Sequence, residues 1–222
     1  MMRNRRSTAA IIFLAVVLGV GCNSWRGFGF RASGPEMPRL RHELALKPGM
    51  SVADVGAGRG ELTVALAAEV GSGGRVFSTE IDREAVKQIR AAVAAAGLAN
   101  VTVVQAQARD ANLPTGCCDA VLLRRVYHHL THPADTNASL LRALRPGGLL
   151  GIIDFPPTFS WLWPWPPNSV PQNRGGHGIA AQLVIEEATA SGFELVQLID
   201  DWPGRGPLAS YCAVFRKPRD RQ

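Results

Sequence analysis

Val52-Ala53-Asp54-Val55-Gly56-Ala57-Gly58-Arg59-Gly60-Glu61 decides how this chain folds. A short apolar strand, Ser51–Val55, runs into a glycine turn. Helical sequence begins at once, with Leu62, Ala65, Leu66 and Glu69 at helix spacing over Glu61–Val70. Glycine adopts backbone angles closed to other residues and lets the main chain approach a ligand. The N–H groups of the turn and of the helix start are expected to face a carboxylate or phosphate. Glu61 stands where the third glycine of GxGxxG belongs, which argues against packing on a dinucleotide pyrophosphate.

Working outward, strands and helices alternate. Arg75–Glu80 reads as the second strand, and Asp82 caps a helix through Ala96, with Val86, Ile89 and Val93 as its buried stripe and Gly97 as its stop. Val101–Ala106 and Ala120–Arg125 are the third and fourth strands. Ala134–Leu144 is a helix, Pro146-Gly147-Gly148 a turn and Leu149–Phe155 the fifth strand. Strands that alternate with helices and lack alternating polar positions predict a doubly wound α/β sheet, mostly parallel and covered on both faces. After the helix Ile179–Ser191, the strands Phe193–Ile199 and Ser210–Arg216 follow without a helix between them, so a terminal hairpin with one antiparallel strand is expected. A further helix over Glu36–Leu46 precedes the stop signal Lys47-Pro48-Gly49, and Trp25–Pro38 reads as a linker.

Charge excludes one class of partner. Residues 1–47 carry eight basic side chains against two acidic, and residues 216–222 carry four against one. The body between has twelve basic and fifteen acidic side chains, so the net charge of +6 resides at the ends. A nucleic-acid enzyme needs its basic stripe on the folded body, so nucleic acid is not the expected substrate. Cys22, Cys117, Cys118 and Cys212 form no CxxC pair and predict neither zinc nor a disulfide framework. Cys117 and Cys118 read as small residues in a turn before a strand.

Glu80 ends the second strand twenty-four residues beyond Gly56. A carboxylate there accepts two hydrogen bonds from adjacent ribose hydroxyls, and the following Ile81 is placed to lie flat on an adenine. With these residues in hand, the chain from about Lys47 to Pro218 resembles the class I S-adenosylmethionine-dependent methyltransferases. The motifs DVGAGRGE, STEID, VTVVQAQARD with DAVLLRRVYHHL, and LRPGGLLGIIDF occur in order. The last two resemble the small-molecule branch that includes ubiquinone/menaquinone methyltransferase-like enzymes. The resemblance implies a seven-stranded Rossmann-like sheet with an antiparallel last strand, and S-adenosylmethionine as the methyl donor. It implies that Asp54, Gly56, Ala57 and Gly58 hold the methionine portion, Glu80 the ribose and Ile81 the adenine face. Gln107 with Ala108 would meet the adenine edge, Gln107 replacing the family's usual acid, and the backbone near Arg124 would receive the methionine ammonium.

Methyl transfer from a sulfonium is an in-line displacement needing chiefly alignment and exclusion of water, with a general base only when the acceptor loses a proton. Tyr127, His128 and His129 follow the fourth strand at the sheet edge where ligands bind, and are the catalytic candidates; each has the ordinary alternative of packing or capping. His177 is a weaker candidate. Arg124 and Arg125 read as attracting an anionic acceptor or as a solvated strand end. Residues 156–178 are where the family places substrate-covering elements, and Trp161, Trp163 and Trp165 there suit an apolar acceptor pocket, a membrane interface or a loop pinned by its aromatics. The expected partner is a small, apolar acceptor. Competing readings are a nicotinamide-dependent Rossmann oxidoreductase and a non-catalytic exported protein retaining the fold.

Met1–Arg6 carries three arginines, Ala9–Val20 is apolar throughout, and Gly19-Val20-Gly21-Cys22 follows. That is the signature of a secretory signal or membrane anchor at residues 1–22. Cys22 resembles a bacterial lipoprotein cysteine, although Leu18 lies one position earlier than usual. Either fate directs the domain outside the inner membrane, away from a cytosolic donor, whereas initiation at Met37 would give a cytoplasmic chain.

Overall fold

Val52 and Ala53 are neighbours in the chain and belong to different hydrophobic cores. Both lie on β1 (Ser51–Val55), whose successive side chains point to opposite faces. The same division runs along β4 (Cys118–Arg124), where Val121 and Leu123 join one core and Ala120 and Leu122 the other. A sheet buried on both faces has no polar face to show in sequence, which is why these strands read as continuous apolar runs.

The computed structural model describes residues 36–157, 178–203 and 210–219. The expected signal or anchor with Cys22, the linker up to residue 35, the tryptophans and His177 of residues 158–177, and the last three residues of the basic tail lie outside the described residues. No helix among the described residues is long and apolar enough to cross a membrane.

The remaining strands are β2 (Arg75–Glu80), β3 (Val101–Gln105), β5 (Leu144–Asp154), β6 (Glu194–Trp202) and β7 (Ser210–Arg216). They form one seven-stranded sheet in the order β3-β2-β1-β4-β5-β7-β6. Neighbours are parallel except β7, which runs antiparallel to both β5 and β6. The expected terminal hairpin is therefore present, and it inserts the last strand between β5 and β6. The helices α1 (Glu36–Glu43) and α2 (Glu61–Val70) supply Leu40, Leu62 and Leu66 to one core. On the other face, α4 (Pro133–Ala143) and α5 (Ala181–Ala190) supply Leu140, Val184 and Ala188. Helix α3 (Arg83–Ala95) buries Val86, Ile89 and Val93, and Asp82 caps it by accepting the Ala85 N–H at 2.7 Å.

Several boundaries differ from the sequence expectation by one or two residues and three by more, the sixth strand running on to Trp202 past the expected Ile199. The first helix stops at Glu43, and the chain turns at Ala45, whose φ is +47°. The fifth strand starts at Leu144 instead of Leu149, because Leu144 already pairs with Cys118 before the register shifts and resumes at Leu149 with Ala120. Cys118 is thus the first residue of β4 and not part of a turn.

Candidate functional site

The direction of strand addition reverses between β1 and β4, and in such sheets ligands bind outside the carboxyl ends of the strands at that point. The turn after β1 is anchored to β2 through main-chain groups. Gly56 and Ala57 both donate N–H groups to the Thr79 carbonyl, at 2.9 and 3.0 Å, and Gly60 donates to Ala57 at 2.9 Å. Gly58 donates to Glu80 Oε2 at 2.9 Å. This corrects the expectation that the turn presents its amides to a ligand: those of Gly56, Ala57, Gly58 and Gly60 are already bonded within the protein. Gly56 is required by packing as well as by its φ of +71°, since a Cβ there would stand 2.5 Å from Val126 Cγ2. At Gly58, with φ +57°, a Cβ would meet nothing within 4 Å.

Glu80 Oε1 accepts from the Ile81 N–H at 2.7 Å. Each carboxylate oxygen retains capacity for another donor. Beside it opens a cavity of ≈ 510 Å³ lined by Gly56, Glu80, Ile81, Gln107, Ala108, Val126, Leu130 and His129, among others. Ile81 is 54% exposed although apolar, as a platform for a flat ring requires. Gln107 is held by exchange of main-chain bonds with Asp110, at 2.8 and 3.3 Å. Gln105, two residues earlier at the end of β3, instead donates its side-chain amide to the Ile81 carbonyl and steadies that platform.

Asp54, Ala57, Gly58 and Arg124 are not among the residues lining this cavity. Asp54 is buried and accepts from Thr63 Oγ1 at 2.7 Å, and Thr63 Oγ1 lies 2.7 Å from Ser78 Oγ. Burial pushes its carboxyl up to about 6, against the opposing pull of the Thr63 hydroxyl and of Arg124. Asp54 thus braces β1, α2 and β2 beneath the turn. Arg124 ends β4 and turns its guanidinium to Glu36 on α1, Nη1 to Oε2 being 3.0 Å; Glu36 Oε1 also accepts from Trp202 Nε1 at 3.0 Å. Its side chain is therefore committed, neither a solvated strand end nor an open anion site. Arg125 follows in a left-handed conformation, φ +58°, with its guanidinium 5.9 Å from the centre of the Phe155 ring.

The three catalytic candidates occupy a single 3-10 turn, Tyr127–His129, with different surroundings. Tyr127 lies in the core, its hydroxyl accepting from Asn137 Nδ2 at 2.7 Å. His129 lines the cavity. His128 is 1% exposed and pairs with Asp154, the last residue of β5. Nδ1 of His128 is 2.8 and 3.0 Å from the two Asp154 oxygens, and the His128 main-chain N–H donates to the same carboxylate at 3.0 Å.

Sequence reasoning singled out neither Asp154 nor two buried hydroxyls, Thr79 Oγ1 and Thr136 Oγ1. Both threonines line the cavity, and neither oxygen has a hydrogen-bond partner among the described residues. Asp154 carried a usable signal, an acid closing an apolar strand, the same one that identified Glu80. The threonines carried none.

Residues 52–148 match a family model described as "Methyltransferase domain". The "Ubiquinone/menaquinone biosynthesis C-methyltransferase UbiE" of Ectopseudomonas mendocina is 33% identical over 132 residues, covering 59% of this chain and 47% of that protein. Its counterpart in Bordetella parapertussis is 27% identical over 151 residues, covering 63% and 58%. The chain thus spans about half the length of these curated relatives. Among solved structures, a SAM-dependent methyltransferase from Aquifex aeolicus superposes with a TM-score of 0.67 at 24% identity, covering 83% of this chain and 89% of that one. The [4+2]-cyclase SpnF superposes with the same TM-score at 18% identity, covering 82% and 79%. The fold is shared by a methyltransferase and a cyclase, so function has to be argued from the site.

Proposed function

We propose that this chain, a member of the class I S-adenosylmethionine-dependent methyltransferases, transfers the methyl group of S-adenosylmethionine to a small, apolar acceptor. One observation carries the reading: at the switch point, the amides of Gly56, Ala57 and Gly58 are spent on Thr79 and Glu80, while a carboxylate, an exposed apolar platform and a glutamine line the cavity beside them. A pyrophosphate needs those amides free. A cationic nucleoside has no phosphate and gains from the acid. The same argument disfavours a nicotinamide dinucleotide.

The residues present fit the donor. Glu80 supplies acceptors for two ribose hydroxyls, Ile81 a face for the adenine, and Gln107 a carbonyl for its amino group. Thr79 and Thr136 add buried hydroxyls with no protein partner among the described residues. A cavity of ≈ 510 Å³ falls within the range for small-molecule sites. When bound, the donor supplies an already activated methyl group on a sulfonium. The protein's share is to hold the reacting atoms in line and exclude water. Val126 and Leu130 give the cavity an apolar wall, which suits an apolar acceptor and the resemblance to quinone-modifying relatives.

Calorimetric titration of the protein with S-adenosylmethionine and, separately, with NAD tests this. Binding of the former alone is expected; binding of NAD alone overturns the reading.

We propose further that residues 1–22 bring the chain to a membrane. The support is the arginine-rich start and the apolar run Ala9–Val20. Fractionation of cells expressing the tagged chain, beside a version begun at Met37, is expected to find only the longer one with membranes; equal distribution sinks the idea.

A further inference from the structure

Two stretches of chain that the sheet keeps apart supply facing parts of the cavity wall. One follows β3 and brings Gln107, Ala108 and Ala111; the other runs from the 3-10 turn into α4 and brings Leu130, Thr131 and Thr136. The strands from which they lead, β3 and β4, are separated in the sheet by β2 and β1, so side chains have to join the walls. Two of the joints lie well along α4: Arg142 grips the Asp110 carboxylate at 2.8 and 3.1 Å, and Ser139 Oγ accepts the Ala111 N–H at 3.2 Å. The third lies at the start of the helix. Arg109 Nη1 donates to Asp135 Oδ2 at 3.0 Å, its Nη2 lies 2.8 Å from His132 Nε2, and His132 Nδ1 lies 2.9 Å from Thr131 Oγ1. A guanidinium only donates, so Nε2 accepts, Nδ1 carries the ring hydrogen and the Thr131 hydroxyl takes it. The joint therefore requires a neutral ring. Protonation sets an N–H of His132 against an N–H of Arg109, at the N-cap of α4 where the helix dipole also opposes positive charge. The charged and titratable partners of the ring are Arg109 and, through it, Asp135 of its own helix; the Asp110–Arg142 pair lies two turns along α4, and His129 precedes it on the 3-10 turn.

Resting on the methyl-transfer reading above, we propose that Arg109 is a positioning residue for donor binding, which fastens the two walls of the cavity through Asp135 and His132 while His132 is neutral. A single exposed ion pair contributes little, and Arg109 and Asp135 are 64% and 50% exposed. The fork of a guanidinium on two acceptors, one of them locked in its tautomer by a third group, loses less freedom for each bond it makes. Walls already joined leave less to be ordered when a ligand enters between them, and that saving appears as affinity. An imidazole ordinarily changes charge between about pH 5 and 8, so donor binding weakens as the pH falls through that range.

The test is calorimetric titration of the full chain with S-adenosylmethionine at about pH 8 and about pH 5.5, on either side of the imidazole range. Arg109→Ala is expected to bind about three- to tenfold more weakly than the wild type at the higher pH, and the ratio is expected to close towards one at the lower; taking a ratio cancels titrations the two proteins share. His132→Gln, whose side-chain carbonyl accepts from Arg109 without titrating, is expected to match the wild type at the higher pH and to exceed it about three- to tenfold at the lower. Hydrogen exchange at the Gln107 and Leu130 amides is expected to quicken in Arg109→Ala, with the unfolding midpoint kept by the two joints further along α4. Nitrogen-15 spectra at the higher pH are expected to show the Nδ1–H tautomer at His132. Equal affinity of Arg109→Ala and wild type at the higher pH, a ratio that does not change with pH, or an Nε2–H tautomer overturns the proposal. If Arg109→Ala does not fold, wild type and His132→Gln decide, and equal affinities at both pH values overturn it. Failure of the wild type to bind the donor at either pH overturns the methyl-transfer reading instead.

Discussion

The carboxylate of Glu80 and the amide of Gly58 are hydrogen-bonded at 2.9 Å, so the end of β2 and the turn after β1 form one unit. A residue assigned to grip a ligand therefore also shapes the loop beside it, and its removal has two separable effects.

Glu80→Ala is expected to weaken S-adenosylmethionine binding by about 1–3 kcal/mol through lost charge-assisted bonds. The Gly58 and Ile81 amides, both donors to this carboxylate, are expected to exchange hydrogen faster even without ligand. Calorimetry and amide exchange read the two effects; unchanged affinity removes the ribose assignment.

Gly56 and Gly58 are expected to differ sharply. Gly56→Ala combines left-handed strain with a Cβ 2.5 Å from Val126 and should cost about 2–5 kcal/mol of stability. Gly58→Ala carries only the strain, about 1–2 kcal/mol. Urea unfolding of the two variants measures the gap, and equal losses contradict the packing described.

Asp54 gives stability an unusual slope with pH. Its carboxyl is raised from 3.8 in the unfolded chain to about 6 in the folded protein, so the folded state binds this proton more tightly. Its penalty is absent below about pH 4, grows between about pH 4 and 6, and is complete above that, at about 3 kcal/mol. Asp54→Asn should remove the slope while keeping an acceptor for Thr63. Unfolding at pH 4 and pH 7.5 is expected to show the variant gaining on the wild type by up to about 3 kcal/mol at the higher pH; parallel changes refute it.

Glu36 is the shared acceptor of Arg124 and of the buried Trp202 indole. Glu36→Ala should cost about 2–4 kcal/mol, because it strands a part-buried cation and a buried donor. A chain begun at Met37 lacks the same residue and should show a comparable loss in unfolding midpoint. Full stability in both variants contradicts the role given to this contact.

Most of the fold was legible because its punctuation is local. The bounds of β1, α2, β2 and β7 agree with the sequence reading, each being set by a glycine turn or a change of periodicity. That Glu80 and Ile81 lie at the cavity was legible for a related reason, since the end of a parallel strand is where ligands meet a sheet and strand ends can be read; Gln107, beyond the end of β3, was reached only through the family resemblance. The pairing of His128 with Asp154 was not legible, since it joins residues 26 apart and depends on β4 and β5 being neighbours. Nor was the commitment of the turn's amides to Thr79, because a carbonyl acceptor is common to all residues and leaves no mark in sequence.

That last contact bears on heredity. Two of the bonds that fix the turn after β1 end on the Thr79 main-chain oxygen, which no side-chain replacement can delete. Descendants can exchange the residue at this position for others that fit its buried place without losing the shape of the loop, so lineages can drift apart in spelling while the cleft keeps its outline.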